Sequence, residues 1–321
     1  MKRFLRFLVV AVALSGFAYA QQASDIHVLH VQGNVYMLVG AGGNIAVQVG
    51  QDGVLMVDTG LAPMTDQVLA AVKQIAKPIT NKPLRYIVNT HFHPDHTGGN
   101  EKARALGRTI TGGNVAGNIS DAAEGAAIYA HENVMKRMSA PTGAQAPTPT
   151  GAWPTDTYFE DSKELFFNGE ALQLFHPKSA HTDGDSIVFF RRSDVVLTGD
   201  IFSTTTYPII DVPNGGSLNG VVDALNFILD ITIPAEKQEG GTMVIPGHGR
   251  LCDEADVVEY RDMVTILRDR IQDMIKKGMT LEQVKAAKPT RDYDPLYGST
   301  TGFWTTDMFV EAAYKSLSAK K

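Results

Sequence analysis

The sequence predicts an α/β fold in which two β-sheets pack together and helices cover their outer faces. Three observations carry that expectation. Short β-prone runs followed by a helical stretch occur twice, once in each half of the chain. Two strand endings resemble each other, Val57-Asp58-Thr59-Gly60 and Leu197-Thr198-Gly199-Asp200. The helical stretches each carry one apolar stripe, as a helix lying on a sheet does.

In the first half, Ile26–Val31 and Asn34–Val39 read as strands on either side of Gly33. Gly42-Gly43 makes a turn, and Asp52-Gly53 between Asn44–Val49 and Val54–Val57 is a strong hairpin signal. These four runs predict an antiparallel meander. Pro63 suits the first turn of a helix over 63–76, where Met64, Val68, Val72 and Ile75 form one stripe. Leu84–Val88 is a short apolar run and predicts a buried strand, and Asn114–Met138 reads as helix despite its glycines. Residues 139–154 are rich in Pro, Ala, Thr and Gly and read as a loop inside the domain that shapes access to the cleft.

In the second half, Leu165–Phe167, Ala171–Phe175, Ser186–Phe190, Val195–Leu197 and Thr242–Ile245 read as strands, and Leu218–Leu229 as helix. The helix over Asp253–Lys277 is the clearest element. Val257, Tyr260, Val264, Leu267, Ile271 and Met274 step by three and four, Asp253 can cap the start, and Gly278 follows two lysines at the end. Thr280 and Gln283 can form a capping box for a short last helix.

The first twenty residues read as a signal peptide. Lys2, Arg3 and Arg6 precede an apolar run that begins at Phe7, and Ala18-Tyr19-Ala20 gives a small-x-small cleavage pattern before Gln21-Gln22. The run is too short for a stable membrane anchor. The expectation is a periplasmic or secreted protein with one domain over 21–321. Without the three basic residues the formal charge moves from −6 to −9. Such an acidic chain is a poor binder of nucleic acid, whose phosphates need a basic surface. Cys252 stands alone, so no intramolecular disulfide can form. Nothing in the sequence sets the oligomeric state.

The densest chemistry is His91-Phe92-His93-Pro94-Asp95-His96. His91 and His93 are two apart, which puts them on one side of an extended segment. Pro94 disfavours helix at His93. If the chain stays extended, Asp95 and His96 point to opposite sides, so that one loop feeds two metal ions. Three imidazoles and a carboxylate in six residues suit zinc, with iron or manganese also compatible.

This segment resembles the His-x-His-x-Asp-His signature of the metallo-β-lactamase superfamily. The later matches are His181 in Ala180-His181-Thr182-Asp183-Gly184-Asp185, Asp200 in Thr198-Gly199-Asp200, and His248 in Pro246-Gly247-His248-Gly249. The resemblance implies a four-layer αββα sandwich and two zinc ions. His91, His93 and His181 would hold the first ion, and Asp95, His96 and His248 the second, with Asp200 bridging. Asp58 would orient a ligand. Two ions roughly 3.5–4 Å apart would clamp attacking and leaving atoms of a small-molecule substrate. Asp95 would be catalytic, holding a metal-bound hydroxide and passing its proton to the leaving group. The bonds implied are amide, ester, lactone or thioester. Asp200 stands where β-lactamases carry Cys or Ser, so the chain looks more like the thioesterase, lactonase and phosphodiesterase branches, with β-lactam cleavage left open. Two other readings share these residues: a mononuclear-iron oxidoreductase of sulfur compounds, and a non-catalytic metal-binding accessory protein.

Other candidates have plainer readings. His27 and His30 lie in the first strand, and His176 reads as structural. His131 either packs or lines the cleft. Cys252 is not a ligand by position. The loop with Tyr207, Pro208 and Asp211 is either a substrate wall or packing.

Overall fold

Strands β1 (His27–Gln32), β2 (Val35–Val39), β3 (Ile45–Gly50) and β4 (Gly53–Val57) form the expected antiparallel meander. The computed structural model describes residues 25–109, 125–141, 148–237 and 240–319. The expected signal peptide lies outside them. Parallel strands β5 (Leu84–Val88), β6 (Ala127–His131) and β7 (Asp156–Tyr158) extend the meander into a seven-stranded sheet in sequential order. The second sheet has five strands in the order β12-β11-β10-β9-β8, from β8 (Ser162–Phe167), β9 (Glu170–Phe175), β10 (Ile187–Phe190), β11 (Val195–Leu197) and β12 (Met243–Ile245).

Period-two alternation divides the apolar side chains between layers. Ala46, Leu55 and Val57 of the first sheet meet Leu172, Leu174, Val188, Phe190 and Leu197 of the second. Ile45, Val47, Val54 and Met56 point the other way, onto Val68, Ala71 and Val72 of α1 (Thr65–Ala76). Ile187, Phe189 and Val196 face α5 (Leu218–Ile231) and α6 (Glu254–Lys276). The result is the expected four-layer αββα sandwich. Both faces of the central strands are buried, which is why these strands read as continuous apolar runs.

Two expectations need correction, the helix over Asn114–Met138 and the extended chain after His93. The helix expected over Asn114–Met138 is shorter. Residues 110–124 lie outside the described residues, Ala127–His131 is strand β6, and among the described residues of that stretch only α4 (Glu132–Met138) is helical. Pairing with β5 and β7 on both sides decides the state of a segment whose local preference is weak. Within 139–154, residues 142–147 lie outside the described set, and Thr150–Ala152 forms one short 3₁₀ turn. The chain after His93 is not extended: Pro94–Thr97 is a helical turn, α2, with Pro94 in its first turn. A further helix, α3 (Asn100–Leu106), follows.

Asp253 and Asp256 form a capping box on α6, and Thr280 and Gln283 form one on α7 (Leu281–Ala287). Two later helices, α8 (Asp294–Tyr297) and α9 (Thr306–Ser318), join the apolar cluster that α5 and α6 form outside the second sheet. No helix among the described residues is long and apolar enough to cross a membrane. Phe190 is wholly buried between the sheets. Phe190→Ala is expected to cost about 3–5 kcal/mol, measured by denaturant titration.

Candidate metal centre

Every candidate ligand sits just past the C-terminal end of a strand, along one edge of the sandwich. Strand β5 leads into His91, His93, Asp95 and His96. The segment after β9 carries His181, β11 leads to Asp200, and β12 leads to His248. Two groups form, His91-His93-His181-Asp200 and Asp95-His96-Asp200-His248, and within each the ligand atoms lie within 4.8 Å of one another. Asp200 belongs to both. Its Oδ2 is 3.9 Å from His91 Nε2 and 3.8 Å from His181 Nε2. Its Oδ1 is 3.1 Å from His96 Nε2 and 3.4 Å from His248 Nε2. The structure thus brings together all seven residues singled out in the sequence. Asp95 and His96 reach the same group because they share a helical turn, and not opposite sides of an extended chain.

Hydrogen bonds at the far side of each ring fix which nitrogen is left for an ion. His96 Nδ1 lies 2.8 Å from Asp58 Oδ2, and a carboxylate can only accept. His181 Nδ1 lies 2.7 Å from the Ile209 carbonyl, and His93 Nε2 lies 3.0 Å from Asp211 Oδ2. Thr90 Oγ1 donates to Asp58 Oδ2 at 2.7 Å and so accepts from His91 Nδ1 at 3.0 Å. The opposite nitrogens, His91 Nε2, His93 Nδ1, His96 Nε2 and His181 Nε2, are the ones turned into the groups, with His93 Nδ1 and His181 Nε2 lying 2.9 Å apart. His91 Nε2, His96 Nε2 and Asp200 Oδ1 are buried with no hydrogen-bond partner. Buried polar atoms are rarely left so, and cations would satisfy all three. The donor set of imidazoles and carboxylates fits zinc.

The electrostatics differ between the groups. Burial, with the charges of His96 and His181 nearby, holds His91 well below the ordinary histidine value. Burial lowers His181 to about 4. In the second group burial also opposes charge, but the Asp200 and Asp58 carboxylates overcome it and hold His96 well above its usual value. Asp200 and Asp95 likewise overcome burial and raise His248 to about 9. Burial disfavours an ionised Asp200, yet His96 and His248 hold its carboxyl well below the usual range. A cation entering the second group therefore displaces protons.

Glycine is required where the loops press on the site. A side chain on Gly247 would collide with Asp200 Oδ1, and one on Gly43 would collide with the His96 ring. Asn44 holds the His248 loop from the neighbouring strand, donating through Nδ2 to Pro246 O at 2.8 Å and to Gly249 O at 3.2 Å.

The sequence did not single out Thr90 or Asn44, and it left Asp211 between wall and packing. Asp211 touches His93 from 118 positions away, and no local pattern signals that contact. Asp185 closes the His181 loop by accepting from Thr182 N at 2.9 Å and from its hydroxyl, and burial raises its pKa to about 7. Tyr207 is packing, 1% exposed and stacked on Phe309. Cys252 is buried and belongs to neither group.

His131 and His176 also lie outside the groups. Their rings stack, with centroids 3.5 Å apart and planes 9° from parallel. Burial and the neighbouring His176 lower His131 to about 4 from 6.5.

A family profile, the metallo-β-lactamase superfamily, matches residues 31–248, more than half of the chain. The chain belongs to that superfamily. Among curated relatives, the linear primary-alkylsulfatase of Pseudomonas sp. (strain ATCC 19151) is 26% identical over 276 residues, covering 76% of this chain and 50% of the relative. Among solved structures, the stereoselective inverting sec-alkylsulfatase from Pseudomonas sp. superposes with a TM-score of 0.63 at 15% identity, over 90% of this chain and 50% of that one. A metallo-β-lactamase from Pontibacter korlensis gives 0.53 at 16% identity, over 75% and 99%. The chain spans about half the length of the alkylsulfatases it matches.

Asp58→Ala removes the acceptor of both Thr90 and His96. It is expected to weaken metal binding about 10–100-fold, measured by chelator competition. The His131 ring is neutral in the folded protein between pH 6.5 and 4, while the unfolded chain protonates it. Its contribution to stability is therefore complete above pH 6.5 and is lost as pH falls towards 4. His131→Phe is expected to flatten that part of the curve of melting temperature against pH.

Proposed function

We propose that the chain is an exported hydrolase that uses two divalent cations, zinc by its donor set, to cleave an ester-type or amide-type bond in a small molecule. The observation that carries this reading is Asp200, whose two oxygens face two separate groups of imidazoles with buried, unpartnered nitrogens. When bound, such a pair of cations supplies Lewis acidity and a water acidified to near neutrality.

The residues supply placement and proton handling. Asp200 is buried and held ionised by His96 and His248. Asp95 is different: its side chain is 31% exposed and its Oδ2 lies 3.2 Å from His248 Nε2. It therefore reaches both the centre and an incoming substrate. Burial opposes its charge, but the hydrogen bond with His248 keeps its carboxyl below the usual range. Such a carboxylate can accept a proton from an attacking water and return it to a leaving group. Asp58 and Asp211 hold ligand rings in the tautomer that leaves a lone pair inward.

Carboxylic esters, lactones, thioesters and amides all suit this arrangement, β-lactams included. The 26% identity to an alkylsulfatase adds sulfate esters to the candidates. The small-x-small pattern before Gln21 supports export. N-terminal sequencing of the mature protein, beginning at Gln21, would bear this out, and a retained Met1 would refute it.

The decisive experiment is metal analysis of protein purified without added metal, beside a panel of lactone, thioester, carboxylic ester, sulfate ester and β-lactam substrates. Zinc at about two ions per chain with turnover of a panel member is the expected result. A single iron with no hydrolysis would overturn it in favour of an oxidoreductase, and absence of metal would favour an accessory protein. Asp200→Ala is expected to lose bound metal and hydrolysis together.

A further inference from the structure

Two of the imidazoles in the first group are oriented from one short segment. Between Tyr207 and Gly216, Asp211 Oδ2 lies 3.0 Å from His93 Nε2, and the Ile209 carbonyl lies 2.7 Å from His181 Nδ1. Asp211 N donates to His181 O at 3.0 Å, so this residue grips both ligands. Asn214 Nδ2 donates to Asp211 Oδ2 at 2.7 Å and steadies that carboxylate. Among the described residues, His96 and His248 of the second group make no hydrogen bond with this segment.

The segment has little structure of its own beyond one 3₁₀ turn at Val212–Asn214. Its anchorage comes from elsewhere. The Tyr207 ring stacks on Phe309 of α9, with centroids 4.7 Å apart and planes 14° from parallel. Its hydroxyl lies 2.9 Å from Asp294 Oδ1 in α8 and 3.1 Å from Thr290 O. Ile210 is buried in the same apolar cluster as Phe309 and Val310. These anchors lie beyond residue 248, where the family match ends. His91 and His96, in contrast, are held from inside the matched region through Thr90 and Asp58.

We infer that Tyr207–Gly216 is a positioning strap for the first metal group alone, in which Asp211 fixes the His93 ring and the C-terminal helices anchor the strap through Tyr207. The inference rests on the binuclear reading above. It makes the two ions unequal partners of the fold. The second group is preorganised by the sandwich itself, whereas the first depends on helices packed on its outside.

The test is a zinc titration of the metal-free full-length chain against a competing chelator. Wild type is compared with Asp211→Ala, Asp211→Asn and Tyr207→Phe. Wild type is expected to take two ions. In Asp211→Ala one equivalent is expected to weaken about 10–100-fold while the other is unchanged. Asn at this position still offers an oxygen to the His93 ring, so Asp211→Asn is expected to recover most of that loss. Tyr207→Phe keeps the ring stack and loses only the hydroxyl, and is expected to fall between. Cobalt(II) in place of zinc identifies the weakened group. The ion-shifted ring N–H resonance of His93, shielded from exchange by Asp211, is expected to vanish in Asp211→Ala while those of His91 and His96 persist.

A wild type that takes fewer than two ions would sink the binuclear reading itself. Two ions in wild type with unaltered affinities in Asp211→Ala and Tyr207→Phe would overturn the strap. Equal weakening of both equivalents, matched by a lower melting temperature of the metal-free protein, would also overturn it, because that is a general loss of stability.

Discussion

A carboxylate shut away from water must collect hydrogen bonds or lose its charge. Asp58, 1% exposed, collects three: from Thr90 N at 2.8 Å, Thr90 Oγ1 at 2.7 Å and His96 Nδ1 at 2.8 Å. It does so in the left-handed backbone region, at φ 64°, where few residues other than glycine sit. The turn after β4 bends back so that one side chain faces the loop after β5. Through Thr90 the same carboxylate reaches His91, so it sets one imidazole of each metal group.

The rest of the centre follows from proton accounting. Each ring tied to a carboxylate, carbonyl or hydroxyl on one side has its lone pair on the other. His91 Nε2 and His96 Nε2 are buried without a partner, and His93 Nδ1 and His181 Nε2 have only each other, a crowding that a shared cation would relieve. The groups are not equivalent. Carboxylates dominate the second and hold His96 and His248 above the ordinary histidine value. Burial dominates the first and holds His91 and His181 below the ordinary histidine value. Asp95 and His248 stand at the open side, with 31% and 28% of their side chains exposed. The second group is thus the more exposed of the two.

The sandwich makes such a site possible by ending five loops at one edge. Strands buried on both faces leave their C-terminal ends as the places where polar side chains can gather without disrupting the core. Close approach of those loops is bought with glycine, as at Gly247 against Asp200. The strap from Tyr207 to Gly216 shows a second strategy, in which a loop with little structure of its own is held by helices packed outside.

The sequence by itself determined two packed sheets and the dense segment from His91 to His96, and its resemblance to the superfamily implied the four-layer sandwich with His181, Asp200 and His248. Alternating apolar strands, caps and turn residues are local signals, and His91 to His96 lie within six positions, too dense to be incidental. The resemblance also placed Asp58 beside a ligand ring, as the geometry has it. The tertiary structure alone decided the rest. Ala127–His131 became strand because two neighbours pair with it, and Asp95 and His96 face one group because Pro94 opens a helical turn instead of prolonging the extended chain. Thr90, Asn44 and Asp211 acquired their roles through contacts that no neighbouring residue announces, Asp211 from 118 positions away. A hydrogen bond between distant residues costs the same whatever lies between them in sequence. Its existence is fixed only when packing has brought both ends to one place.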